Sequence, residues 1–521
     1  MDFGYFLRRL DQGCHLDPEK EAVIFREERV TYRQLRDRAY RMANALKGFG
    51  IQKGDRVAVL LRNCAEWFDI FFAVASLGGV LVPVNFLLKS KEVEFILRDS
   101  GARVLFVGED LVDLLDPAGG STPDLREIIC IGSEDVPSPL HAYTTLMQEA
   151  KPDPVEEAVA SEDLFLLQYT SGTTGFPKGA MHTQGSVAWN SFHQVGDFLV
   201  TPQERYLCVP GLCWVAGFHD FTLATLWMGG TVALMPSGGL DIGDLLGLIE
   251  RERITRVLLV PTIVKQVIDF PERSKYTLEH LESVLTGAEP VPVSVIEAFH
   301  ERIPQTSLLQ GYGLSEGPSI ATYMKKEDAL RKVGSAGKPV TNCELLIVDE
   351  AMNRVPPGEK GEIVIRSPAT MKGYWNRPEA TEEVFRGGWM HTGDLAEYDA
   401  EGYIYIRGRK KDMYISGGLN VYPAEIENVI LKHPGVQEVA VVGWEDQRWG
   451  EVGFAVIVPK ERVSVDEEAI KVLCESELAA YKVPKRYLIR DEPLPRTASG
   501  KVKKFALKEE LERSKGGSDT A

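Results

Sequence analysis

The sequence predicts an α/β fold: a large N-terminal domain of two mixed α/β sheets plus a small β-barrel, followed by a smaller α+β C-terminal domain. Three observations predict it. Helix-like and strand-like segments alternate through the first third of the chain and again from about Leu164 to Thr322, the pattern of mainly parallel sheets flanked by helices. From about Val333 to Ile406 the pattern turns to short strands with Gly/Pro turns such as Pro356-Pro357-Gly358-Glu359. The charged turn Gly408-Arg409-Lys410-Lys411-Asp412 then precedes a compact unit of about 110 residues. At 521 residues the chain is too long for one ordinary core.

The elements follow in order. Thr31 to Gly48 carries apolar residues at helical spacing after a Thr cap, and Arg56 to Leu61 is a buried-type strand. Glu66 to Leu77 is helical, Gly78-Gly79 turns the chain, and Val80 to Val84 is a strand. The apolar stretch Trp67 to Val84, broken by Asp69 and the glycine pair, is thus a core helix and strand rather than a membrane span. Arg103 to Val107 repeats the strand theme. In the second block, Thr231 to Met235 and Arg256 to Val260 are strands; in the C-terminal unit, Glu438 to Val442 is β-type.

A formal charge of −17 argues against a nucleic-acid partner and disfavours anionic membranes. Seven scattered cysteines, an odd number without Cys-x-x-Cys, fit a reducing compartment, and the start shows no secretory signal; a cytoplasmic location is expected. Cys213 and His219 lie close in sequence, but no base-orienting group accompanies them, so Cys213 reads as a buried thiol.

The most informative stretch is Tyr169-Thr170-Ser171-Gly172-Thr173-Thr174-Gly175-Phe176-Pro177-Lys178-Gly179, which follows the apolar run Leu164-Phe165-Leu166-Leu167. A strand that empties into a Gly/Ser/Thr loop exposes backbone N–H groups and hydroxyls suited to phosphate oxygens, and one lysine adds a cation. A P-loop is excluded, since Lys178 is followed by Gly179 and not by Ser or Thr. Gly311-Tyr312-Gly313-Leu314-Ser315-Glu316 offers a ring that can stack on adenine and a hard carboxylate suited to Mg²⁺. Trp389 to Asp394, then Gly408 to Asp412 with Ser416 to Pro423, and finally Pro495 to Lys501 complete a series of five motifs in order.

Taken together, these motifs resemble the adenylate-forming superfamily of acyl-CoA synthetases, peptide-synthetase adenylation domains and firefly-type luciferases, over about Pro18 to Lys508. The resemblance implies an acyl-CoA synthetase using ATP, Mg²⁺ and coenzyme A. It implies that Thr170, Ser171, Gly172, Thr173, Thr174, Gly175 and Lys178 hold phosphates, and that Glu316 with Thr170 holds Mg²⁺. Gly287, Ala288 and Glu289, with Gly311, Tyr312, Gly313 and Ser315, would surround the adenine; Asp394 would grip the ribose and Arg409 the ribose or phosphate. Lys501 would be the catalytic lysine of adenylation and Lys411 the hinge, and Gly417-Gly418 would let the CoA arm pass. The implied division is 1–408, a hinge at 409–412 and a mobile domain over 413–521.

By the same resemblance Trp214, Phe218, His219, Gly287, Gly311 and Gly313 line the acyl pocket. Acetate-specific relatives carry Trp where this chain has Gly313, so an acid longer than propionate is expected: a medium- or long-chain fatty acid, or an aryl or alicyclic acid. The expected partners are a small carboxylic acid, ATP and CoA, with no integral membrane segment and a monomeric or homodimeric state. The rival readings are an enzyme that charges a carrier protein, a luciferase-like oxygenase and a non-catalytic nucleotide binder.

Overall fold

The computed structural model describes residues 4–11, 16–115, 122–155, 157–170, 177–287, 291, 293–417, 419–497 and 502–516. A seven-stranded sheet draws its strands from residues 56–183, in spatial order 140–142, 127–131, 102–108, 56–60, 80–83, 164–170, 178–183. Its pairs are parallel except the last, where Leu164–Thr170 and Lys178–Thr183 run antiparallel. A nine-stranded sheet takes strands 205–208, 231–234, 256–258, 283–286 and 307–312 in parallel, with antiparallel edges. The small barrel expected after Val333 takes the form of a five-stranded antiparallel half-barrel built around Trp389–Tyr398.

Local chemistry explains the elements that frame the site. Thr31 caps helix Tyr32–Gly48 as a capping box: its hydroxyl accepts from Gln34 N (3.2 Å) and the Gln34 side chain accepts from Thr31 N (2.9 Å). Such a cap is worth about 1 kcal/mol. Helix Glu66–Ser76 is buried beyond Glu66, on every face, so its apolar run needs no amphipathic stripe. Its one buried acid, Asp69, is held by the Arg38 guanidinium (2.8 Å) and the Tyr143 hydroxyl (2.6 Å), and burial pushes its carboxyl up to about 7.

Strands 414–416, 419–421, 436–446, 450–459 and 486–489 form a separate five-stranded sheet. Its two apolar clusters draw only on residues from Tyr414 to Leu511, whereas the largest cluster runs from Phe6 to Ile404. The change of core falls at the charged turn. Across it, Lys360 of the N-terminal part pairs with Glu425 (3.3 Å) and lies over the Tyr422 ring (4.3 Å). Among the described residues no helix is long and apolar enough to cross a membrane.

Candidate active site

Parallel strands open toward a ligand at their carboxyl ends. Thr170 ends a strand of the seven-stranded sheet; Gly287 follows and Gly311-Tyr312 end strands of the nine-stranded sheet. The half-barrel adds Asp394 from Trp389–Tyr398 and Arg409 from the end of Ile404–Arg409. The site is therefore a meeting of three sheets, which no single stretch of sequence shows.

The Ser/Thr/Gly loop is the connection of an antiparallel pair in which Thr170 and Lys178 lie opposite each other. Ser171, Gly172, Thr173, Thr174 and Gly175 lie outside the described residues, but both ends of their loop are fixed. Thr170 donates from its hydroxyl to Glu316 Oε1 (3.3 Å), and Tyr374 donates to the same oxygen (3.1 Å). Lys178 Nζ stands 5.3 Å from the Tyr374 ring centre. Burial and the Glu316 carboxylate push the Tyr374 phenol up, so it stays a donor. Glu316 and Thr170 are hard oxygen donors. Among the described residues no group of three His, Cys, Asp or Glu side chains could hold a metal. One carboxylate suits Mg²⁺ that is held mainly by phosphates and water.

Tyr312 donates its hydroxyl to Asp394 Oδ2 (2.8 Å), and Arg409 Nε lies 2.9 Å from Asp394 Oδ1. Asp394 is 5% exposed, and its carboxylate, whose neighbourhood raises the Arg409 guanidinium, is a buried acceptor beside an arginine. The turn that presents it is braced from below. Glu362 accepts from Gly393 N (3.2 Å) and pairs with His391 (3.3 Å) and Lys410 (3.4 Å). Lys410 N also donates to Gly393 O (2.8 Å), which ties the ribose-type turn to the charged turn where Lys411 sits exposed.

The acyl-wall residues divide. Trp214 is half-buried 5.8 Å from the Phe86 ring, and its indole Nε1 is buried without a partner. His219 is buried, its carbonyl accepting from Gln194 (2.9 Å) and Asn190 (3.4 Å). Its ring meets the His182 ring edge-on at 6.4 Å, and His182 bonds to the Ser315 carbonyl (2.8 Å), one residue before Glu316. Burial drives both imidazoles down, His182 to about 4 and His219 to about 3, so both are neutral at pH 7. Phe218 is packed against the core. Its ring stacks on Phe71 at 4.4 Å with Phe68 at 5.4 Å, so it belongs to the core around helix Glu66–Ser76.

Gly313 stands at a close backbone approach. A Cβ there would lie 2.0 Å from the Ser319 carbonyl oxygen and 2.7 Å from that of Pro318. The glycine lets the loop Leu314–Pro318 close on its own strand. Gly287 serves a similar close approach, since a Cβ would lie 2.6 Å from the Gly311 carbonyl oxygen, while Gly311 has ordinary room.

Gly417 has φ +58°, donates to Trp449 O (2.7 Å) and lies under the Trp449 ring. Ala288, Glu289, Gly418 and Lys501 lie outside the described residues. The structure also adds residues that sequence reading missed. Asp99 accepts from the Tyr169 hydroxyl (2.7 Å) and Arg377 (2.8 Å), and its carbonyl accepts from Trp375 Nε1 (3.0 Å). These contacts hold segment 373–377 against the phosphate-loop strands.

Comparison with known proteins agrees with this geometry. Residues 10–375 match the profile of the family described as AMP-binding enzyme, and residues 425–501 that of the AMP-binding enzyme C-terminal domain. The chain is 38% identical over 506 residues to an indoleacetate–CoA ligase of Aromatoleum aromaticum, covering 97% of this chain and 98% of that one. It is 37% identical over 513 residues to a long-chain-fatty-acid–CoA ligase of Mycobacterium tuberculosis, covering 98% of each. An anthranilate CoA ligase solved with anthranoyl-AMP superposes with a TM-score of 0.89 at 30% identity, over 98% of this chain and 97% of that one.

Proposed function

We propose, for a chain that belongs to the AMP-binding enzymes as an adenylate-forming synthetase of the acyl-CoA type, that its acid carries a ring. The enzyme is an AMP-forming acid–thiol ligase whose substrates are ATP with Mg²⁺, a small carboxylic acid and CoA. A carboxylate oxygen attacks the ATP α-phosphorus and pyrophosphate leaves, giving acyl-AMP. The CoA thiol then attacks the acyl carbon, and AMP leaves as the thioester forms. Adenylation is needed because a free carboxylate has no good leaving group.

In this reading the loop between Thr170 and Lys178 binds the β- and γ-phosphates, and Glu316 with Thr170 holds Mg²⁺, which neutralises phosphate charge when bound. Tyr312 lies beside the base and Asp394 accepts the ribose hydroxyls, oriented by Tyr312 and Arg409. Lys501 stabilises the charge that builds between carboxylate and α-phosphate. Residues 409–412, centred on Lys411, turn the domain over 413–521 so that the Gly417-Gly418 pair replaces Lys501 at the acyl carbon.

One observation supports the ring: the wall segment carries an unpartnered buried indole N–H at Trp214 and a neutral imidazole at His219. A hydroxyl on a flat aromatic body can accept from the Trp214 indole N–H, and a hydroxyl or ring N–H can donate to an unprotonated imidazole nitrogen of His219, whereas an alkyl chain would leave the indole N–H unpaired in a dry pocket. A medium- or long-chain fatty acid is the second reading. It is favoured by the similarity to the mycobacterial ligase and by the apolar Phe86–Trp214 contact. The test is kcat/KM for matched pairs of ring and alkyl acids of equal carbon count. A preference of tenfold or more for hydroxylated or N–H-bearing ring acids is expected; a preference for octanoate or longer acids overturns the ring and leaves the enzyme class standing.

A further inference from the structure

Segment 371–375 carries no role in the reaction described above, yet it is built into the nucleotide site. Met181 N donates to Gly373 O (2.9 Å), Lys372 N to Met181 O (2.8 Å) and Trp375 N to Gly179 O (2.8 Å). Tyr374 also bridges Ala180 in antiparallel fashion. The segment thus joins the exit strand of the phosphate loop as one more short edge. Its register places Tyr374 beside Lys178. Met371 N donates to the Glu316 carbonyl (2.9 Å), so the backbone of segment 371–375 and that of Glu316 are fixed to each other.

We propose that Tyr374 is a positioning residue that couples the phosphate-loop lysine to the carboxylate that receives Mg²⁺; the inference rests on the nucleotide-site reading above. Two contacts of one side chain carry it. The hydroxyl donates to Glu316 Oε1 (3.1 Å), the oxygen that also accepts from Thr170 (3.3 Å). That double donation fixes the plane of the carboxylate and, among the described residues, leaves Oε2 without a hydrogen bond, turned over to a cation. The ring face lies 5.3 Å from Lys178 Nζ and supports the ammonium by cation–π attraction. Tyr374 is 9% exposed, so both contacts act in a largely dry setting. Asp99 locks the segment through Arg377 and Trp375, which keeps the ring from swinging away.

The coupling has a chemical purpose. Lys178 and Mg²⁺ both answer the charge of the polyphosphate, and a phosphate held by one is useful only if the other meets it in register. A tyrosine that touches both with different atoms sets that register before the nucleotide arrives. Phenylalanine would keep the ring under Lys178 and lose the hydroxyl; leucine would lose both.

The test separates the two contacts by direct binding. Mn²⁺ is titrated into the full-length protein with ATP and followed by electron paramagnetic resonance. Metal-free ATP binding is measured in parallel by calorimetry in EDTA. Removing one hydrogen bond to a charged acceptor predicts about a tenfold loss. Y374F should therefore bind Mn²⁺ in the ATP complex about tenfold more weakly and bind metal-free ATP within twofold of the wild type. Y374L should show the same metal loss and, in addition, about threefold weaker metal-free ATP binding. Unchanged Mn²⁺ affinity in Y374F, or equal loss of metal-bound and metal-free ATP, overturns the inference. Failure of the wild type to bind Mn²⁺ with ATP overturns the nucleotide-site reading and the inference with it.

Discussion

Placing alanine at Gly313 separates two meanings of that glycine. If it is an absent pocket wall, Gly313→Ala should narrow the acid pocket slightly and leave the rest alone. The backbone says otherwise: the new Cβ would lie 2.0 Å from Ser319 O, and van der Waals contact begins above about 3.2 Å. The loop must move by about 1 Å or more, against the Leu314 N to Pro318 O turn (3.2 Å) and the Asn190 to Ser319 bonds (2.8 and 2.9 Å). Overpacking of this kind costs about 1–3 kcal/mol, and the loop that moves carries Glu316. A misplacement of about 1 Å in a positioning group costs about a hundredfold in rate. The assay is pyrophosphate release in the adenylation half-reaction across acids of increasing length, alongside urea unfolding. Adenylation should fall about a hundredfold for every acid, with lowered stability. A variant of full stability and full activity toward short acids, impaired only toward long ones, would refute the backbone argument.

Three further outcomes follow from the geometry. Asp394→Asn, which weakens the acceptor shared by Tyr312 and Arg409, should raise the KM for ATP about thirtyfold by steady-state kinetics, given about 2 kcal/mol for a charged hydrogen bond. The buried imidazoles of His182 and His219 have folded-state pKa values lowered to about 4 and about 3, so the unfolded chain binds their protons first as pH falls. Their contribution is complete above about pH 6.5 and is lost below it; each should cost about 2–3 kcal/mol between pH 7 and 4.5 in urea titrations, and His219→Gln should flatten that slope. Glu425→Gln, which weakens the tie from Lys360 and Lys482, should speed limited proteolysis within 409–417 severalfold without changing the unfolding of either core.

Much of this was legible in the chain because each motif is local. The capping box at Thr31, the buried helix after Glu66 with its Gly78-Gly79 stop, and the strand that delivers Thr170 are written in consecutive residues. What stayed illegible is contact between distant segments. Phe218 sits in a pocket-like stretch, but helix Glu66–Ser76, about 150 residues earlier, presents Phe68 and Phe71 to its ring. Gly313 is read differently once Ser319 folds back on it. Tyr374 and Asp99 gain their meaning only when three sheets meet, because their partners Glu316, Lys178 and Tyr169 are fixed by tertiary pairing. The small barrel expected after Val333 is present as a half-barrel sheet.

The most direct measurement of the central claim is release of pyrophosphate and AMP from ATP and Mg²⁺ with a panel of ring and alkyl acids, with and without CoA. The account predicts a first turnover of pyrophosphate that needs only the acid, and steady AMP release that needs CoA. Steady pyrophosphate release indifferent to CoA, or none with any acid, would contradict it.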